Sequence, residues 1–180
     1  SGDRAAIIYF ISGARYRLAN DPGSDGFLGK RYLYTHLSGK DQNMHMVLQN
    51  LDVVRQFGID TQDLNVSIFI PEAARIFVKK IFEKNNIAED DSVVHVHPTS
   101  RWLFKCWKDE YMAGVITWLI DNGIKVLVTS SPDKKEIAKT KKVLSLIHNP
   151  KTQNPNLIDL CGNTSIKELA AISAASRLFL

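Results

Sequence analysis

The 180-residue chain is poor in several features that would place it at once. It has two cysteines, Cys106 and Cys161, far apart and outside any CxxC or Cys/His spacing. That argues against a disulfide framework and a zinc site, and for a reducing compartment. No apolar run is long: Ala5 to Ile11 is far too short to cross a bilayer. GxGxxG, GxxxxGK[ST] and GxSxG do not occur, which weakens dinucleotide, P-loop and hydrolase readings. There is no internal repeat and no low-complexity tract. No acidic residue stands out as a general base.

What is present is an ordinary globular composition, 44% hydrophobic and 23% charged. The net charge is +4, spread along the chain. It suits a phosphate-bearing partner, which can be nucleic acid, an anionic membrane surface or a phosphorylated small molecule.

Asp3 to Ser12 reads as a short helix closed by Gly13, Ala14 to Leu18 as a strand, and Asn20 to Gly26 as a turn-rich loop. Phe27 to His36 mixes aromatic and basic residues. It is read as a surface segment with half-buried tyrosines, against the alternative of a nucleic-acid stacking face. Asp41 to Phe57 has helical spacing of Met44, Val47, Leu48, Leu51 and Val54, with Asp41 as its cap and Gly58 as its stop. The polar stretch up to Leu64 suits a linker.

From Asn65 the pattern is regular. Strands are expected at Val66–Ile70, Ser92–His97, Ile124–Thr129, Asn156–Leu160 and Leu178–Leu180. Helices are expected at Pro71–Asn85, Lys108–Asn122, Asp133–Ile147 and Ser165–Ala175. This alternation predicts βαβ units, an α/β fold and a Rossmann-like parallel sheet with ligands at the carboxyl ends of the strands.

Three strand ends carry candidate chemistry. After Val96 come Pro98, Thr99, Ser100, Arg101 and Lys105: two hydroxyls, a guanidinium fork and an ammonium can hold a diphosphate, or can be a cap with two surface bases. Thr129 to Ser131 can meet a ribose or phosphate, or cap a helix before Asp133. Gly162-Asn163-Thr164 can aim backbone N–H groups at a ligand, while a capping box already accounts for Thr164, Ser165 and Glu168. His95 and His97 share one strand face. That spacing can bind metal, but no acid or cysteine lies near, so a sheet-face pair is expected. Trp102, Phe104 and Trp107 are expected to pack the turn against the next helix, and the Asp133–Lys142 lysines to face solvent.

Three stretches together resemble the ADP-heptose:lipopolysaccharide heptosyltransferases, glycosyltransferase family 9: HPTSRWLFKCW, IKVLVTSSPDKKEI and LIDLCGNTSIKELAAISAASRLFL. The spacing Thr99–Arg101–Lys105–Trp107 is most similar to the branch that adds the third core heptose. HMVLQNL, His45 to Leu51, resembles the family's helix near the end of its N-terminal domain.

The resemblance implies part of a GT-B fold, with residues 1–64 ending an acceptor-side domain and 65–180 forming the first part of a donor-binding domain. It implies heptose transfer from ADP-heptose to the lipopolysaccharide core, without metal or other cofactor. The setting would be the cytoplasm, with peripheral contact at the inner membrane, and nucleic acid would not be a partner. Thr99, Ser100 and Lys105 would contact the donor diphosphate, Arg101 would support that turn, and Thr129 and Thr164 would lie near the adenosine. Lys105 would be the catalytic cation.

The family's glycine-rich turn with its catalytic aspartate would precede Ser1. Its D-S-G-P-x-H turn would follow Leu180. The chain is therefore expected to be a central piece of a longer protein, inactive alone. The alternatives are a non-catalytic nucleotide-binding module and a basic nucleic-acid binder.

Overall fold

The computed structural model describes residues 2–39, 41, 43–147 and 154–180. They form two compact units, Ser1–Val66 and Ser67–Leu180.

In the first unit, helix α1 (Asp3–Ile11) precedes strand β1 (Leu18–Asn20). A turn of 3₁₀ helix (Lys30–Leu33) leads to β2 (His36–Ser38), which pairs in parallel with β1. Helix α2 (Met46–Arg55) follows. β1 begins where Ala14–Leu18 was expected to end. The residues before it are drawn into local bonds: the Arg17 side chain donates to the carbonyls of Leu33 and Ala14, both at 2.7 Å.

The expected Asp41–Phe57 helix is shorter. Its cap is His45, whose Nδ1 accepts from Val47 N–H at 3.3 Å. Asp41 instead turns on itself, accepting from Asn43 N–H at 2.9 Å. Gln42, inside that range, lies outside the described residues. The aromatic–basic segment divides: Tyr32 is exposed, while Tyr34 and Lys30 are buried, Lys30 on Asp3 at 3.0 Å. Arg31 lies 3.7 Å from Asp21. A continuous stacking face is therefore not formed.

The segment at the boundary of the two units differs from the expected strand. Val66–Ile70 is not a strand: no ladder bonds reach it among the described residues, and Val66, Ile68 and Phe69 are exposed. β-branched residues favour extension, but only a partner strand makes a sheet.

The following elements alternate as expected: α3 (Glu72–Lys84), β3 (Val93–Val96), α4 (Asp109–Asp121), β4 (Lys125–Val128), α5 (Lys134–Ser145), β5 (Leu157–Asp159), α6 (Ile166–Ala175) and β6 (Leu178–Phe179). The strands are all parallel, in the order β5-β4-β3-β6.

Side chains alternate across such a sheet. Val94, Val96, Val126 and Val128 point to one face and pack on Ala113, Ile116, Leu119 and Ile120 of α4 and Val143 of α5. Val93, Leu127 and Ile158 point to the other, against Ala74, Val78 and Ile81 of α3 and Ala171 and Ile172 of α6. Burying each large aliphatic side chain contributes roughly 1.5–3 kcal/mol.

Across the first face Asp109 of α4 is buried and takes two ammonium groups from α5, Lys139 and, at 2.9 Å, Lys142. Those cations hold its carboxyl below the usual carboxylate range. The lysine run is thus only partly a solvated face. Because the chain steps outward from β3 to β5 and then returns to the far side of β3, the strand order reverses between β3 and β6. Ligand crevices of α/β sheets lie at such a switch, outside the carboxyl ends of the strands.

Candidate functional site

The loops after β3, β4 and β5 converge on a cleft of about 370 Å³. Its walls are His97, Ser100 and Arg101 from the first loop, Ser130, Ser131 and Pro132 from the second, and Thr164, Ser165, Ile166 and Leu169 from the third, with Glu136 of α5. A neighbouring recess of about 420 Å³ shares Arg101 and Glu136 and adds Leu103, Asp133 and Lys135.

The helix starts at the cleft are already satisfied by side chains. Asp133 caps α5, accepting from Lys135 N–H at 2.8 Å. Ser165 caps α6 in the expected capping box: its hydroxyl accepts from Glu168 N–H at 3.3 Å, and its own N–H donates to the Glu168 carboxylate at 2.7 Å. Thr164 is therefore released from capping, and its hydroxyl is unpartnered among the described residues. Gly162 makes the turn before it with φ +72°; a Cβ there would meet Ile137 Cδ1 at 2.8 Å.

The six residues predicted from sequence occupy three kinds of position. Ser100, Arg101 and Thr164 line the cleft. The Ser100 hydroxyl is engaged locally, donating to Trp102 C=O at 2.9 Å and accepting from its N–H at 3.2 Å. The Arg101 guanidinium lies 5.8 Å from the Trp102 ring and has no carboxylate partner among the described residues.

Thr99 and Thr129 are buried under the cleft rather than on its wall. The Thr99 hydroxyl donates to Glu136 at 3.0 Å. The Thr129 hydroxyl lies between two imidazoles, 2.7 Å from His95 Nε2 and 2.8 Å from His97 Nδ1. Their side chains are spent on positioning, so neither presents a hydroxyl to a ligand. Lys105 is exposed, with its ammonium 6.0 Å from the Phe104 ring, and does not line the cleft. Trp102, Phe104 and Trp107 are exposed as well; Trp107 meets the next helix as expected, 5.7 Å from the Tyr111 ring of α4, while Trp102 and Phe104 lie against each other. The turn is held by its own backbone and by Ser100.

The sequence reading passed over Glu136 and gave His97 no place in the cleft. Glu136 looked like one acid on a lysine-rich face, yet it is buried, holding Thr99 and opening to the cleft. Its only sequence signal is its place in the first turn after a strand-end loop. His97 was noted as half of a sheet-face pair, and the structure bears that pairing out while setting His97 on the cleft wall. Burial depresses the His97 imidazole, opposed by the nearby Glu136 carboxylate. Burial, and then His97, pushes His95 from 6.5 to about 4. The site thus offers a guanidinium, a free hydroxyl, a neutral imidazole and a carboxylate, a set suited to a ligand with both anionic oxygens and hydroxyls.

Comparison with known proteins finds a family model, curated relatives and solved structures that this chain resembles. The family model described as glycosyltransferase family 9 (heptosyltransferase) matches residues 4–180. Lipopolysaccharide heptosyltransferase 3 of Escherichia coli is 26% identical over 175 residues, 97% of this chain and 49% of that protein. Its counterpart in strain K12 is also 26% identical, over 82% of this chain and 40% of its own length. The chain thus spans about half or less of the curated relatives it matches.

Among solved structures, the ADP-heptose lipopolysaccharide heptosyltransferase II of E. coli superposes with a TM-score of 0.74 at 18% identity, covering 99% of this chain and 53% of that one. A family 9 glycosyltransferase from Veillonella parvula gives a TM-score of 0.65 at 19% identity over 83% of this chain and 41% of that one. The fold is the expected one, an α/β protein with a Rossmann-like parallel sheet forming part of a GT-B arrangement.

Proposed function

The chain belongs to glycosyltransferase family 9, and from that premise we propose that it is the donor-binding part of an enzyme that transfers heptose from ADP-heptose to the inner core of lipopolysaccharide. Residues 65–180 hold the nucleotide-sugar and residues 1–64 belong to the acceptor side. Reaction takes place in the cytoplasm, with peripheral contact at the inner membrane.

The observation that carries this reading is the cleft at the strand ends, lined by the Arg101 guanidinium and the Thr164 hydroxyl, neither of which has a carboxylate or hydrogen-bond partner among the described residues. An arginine fork matches the oxygens of a diphosphate. Glu136 can accept hydroxyls of the donor, and Thr99 beneath it keeps its carboxylate aimed.

In the transfer, a general base not among the residues assigned here takes the proton of an acceptor hydroxyl as its oxygen attacks the anomeric carbon and inverts it. The bond to the diphosphate breaks with its electron pair, and ADP leaves. Negative charge grows on the departing oxygens, where Arg101 on the cleft wall lowers the barrier; Lys105, outside that wall and without a carboxylate partner among the described residues, has to swing in to join it.

Calorimetry with ADP tests the assignment. Binding is expected, with Arg101→Ala and Lys105→Ala each weakening it roughly tenfold or more. Tight oligonucleotide binding that falls steeply with salt, without ADP binding, overturns it.

A further inference from the structure

We propose that His97 is a ligand-binding residue of this cleft, presenting an Nε2–H donor to an anionic oxygen, and that a relay of Ser173, His95 and Thr129 sets its tautomer. The ligand class rests on the nucleotide-sugar reading above; the relay rests on geometry alone.

Four side chains form one continuous line. Ser173 Oγ of α6 lies 2.9 Å from His95 Nδ1. His95 Nε2 lies 2.7 Å from Thr129 Oγ1, and Thr129 Oγ1 lies 2.8 Å from His97 Nδ1. Nε2 of His97 meets no partner among the described residues, and the ring borders the cleft. Sheet bonds hold the backbone at each step. Thr129 N–H donates to Val96 at 3.0 Å, His97 N–H to Leu180 at 2.8 Å, and Leu180 N–H to His95 at 2.9 Å. Phe179 lies edge-on to the His95 ring at 4.8 Å and fixes its plane.

Proton bookkeeping orients the line. A neutral imidazole has one N–H, and a hydroxyl donates once. If protons run outward, Ser173 donates to His95 Nδ1, His95 Nε2–H to Thr129, and Thr129 to His97 Nδ1. His97 must then carry its proton on Nε2, facing the cleft, and every buried group is satisfied. If protons run inward, His97 Nδ1–H donates to Thr129, Thr129 to His95 and His95 to Ser173. The Ser173 hydroxyl then needs an acceptor, and none but His95 is present among the described residues. Ser173 is only part-buried, so that hydroxyl can turn to solvent, and the rings decide the direction. Running outward, both imidazoles carry their proton on Nε2, the tautomer a neutral histidine side chain favours, so the outward direction holds.

His95 is fully buried and stays neutral, as the relay requires. The cleft therefore receives a donor without a positive charge, beside the cation of Arg101. A neutral donor of this kind favours oxygens bearing negative charge and leaves the net charge to Arg101.

Nitrogen-15 NMR of the histidine side chains in this chain reads the tautomer directly. At pH 7.5 His97 is expected as the Nε2–H form, and Thr129→Val is expected to remove that preference while Thr129→Ser keeps it. Calorimetry with ADP is expected to lose about tenfold for His97→Ala. His97→Gln, which carries its own N–H near the same place, is expected to regain part of that loss. Thr129→Val should weaken ADP binding in the native background and not in the His97→Gln background, a split that a purely structural role does not produce.

An Nδ1–H tautomer at His97, or unchanged ADP affinity in His97→Ala, overturns the proposal. If the native chain binds no ADP, the nucleotide-sugar reading fails, and the tautomer measurement still decides the relay.

Discussion

In Ser67–Leu180 a parallel sheet is covered on both faces, and two clusters of buried aliphatic residues result. In Ser1–Val66 the buried hydrophobics are Ala6, Ala19 and Tyr34. The first unit is not short of apolar residues: Ile7, Ile8, Phe10, Ile11, Phe27 and Leu28 are all there, and all exposed. α2 has an apolar stripe at helical spacing and buries no residue fully. Apolar content alone does not make a core. Burial needs a second layer to pack on, and two strands of three residues each offer little surface.

The sharpest test of this contrast is truncation in the larger core. Ile116→Ala, at a fully buried side chain of α4, is expected to cost about 2–5 kcal/mol in urea unfolding. A loss below about 1 kcal/mol would show that the second unit is not the stable one.

Next in size is pH. His95 stays neutral in the folded chain down to about 4, while in the unfolded chain it takes a proton below about 6.5. The unfolded state binds the extra proton, so stability is full above about 6.5, falls as pH drops toward 4 and levels off beneath, by on the order of 3 kcal/mol. His97, depressed mainly by burial, acts in the same direction. The urea midpoint should therefore be lower at pH 5 than at pH 7, and His95→Gln should shrink the difference. Equal midpoints would contradict the buried, neutral His95.

Gly162→Ala comes third. It forces a side chain into a left-handed conformation against Ile137 and Pro132, at an expected 1–3 kcal/mol, roughly, with the loop that carries Thr164 displaced. Thermal unfolding and ADP titration on the same sample measure both effects.

The smallest effect is expected in the first unit. Ile8→Ser should change stability by less than about 0.5 kcal/mol, because the side chain is exposed. Hydrogen exchange carries the comparison residue by residue: amides of β3 and β4 should be the slowest, those of α1 and α2 much faster.

The legible parts of the chain were those where local chemistry and tertiary packing agree. Val93 to Val96 and Lys125 to Val128 read as buried parallel strands because both faces of each are covered. Ser165 and Glu168 read as a capping box because the two bonds form within one helical turn. Val66 to Ile70 has the same β-branched character and failed as a strand, since its partner is not supplied by its own residues.

At the site, Ser100, Arg101 and Thr164 were legible as polar residues at strand ends. Thr99 and Thr129 were equally well placed in sequence, but a residue just past a strand end can point down as well as out. Here Glu136 and the histidines draw their hydroxyls downward.

What the sequence determined by itself was the order of elements, the helix starts, the strand ends that bear chemistry and the family likeness, all carried by short-range spacing. The tertiary structure decided which of those polar groups reach the cleft. It also joined Ser173, 78 positions away, to His95 and Thr99 to Glu136 across 37. A hydroxyl takes the acceptor that folding brings within 3 Å or so, and that partner can lie anywhere in the chain.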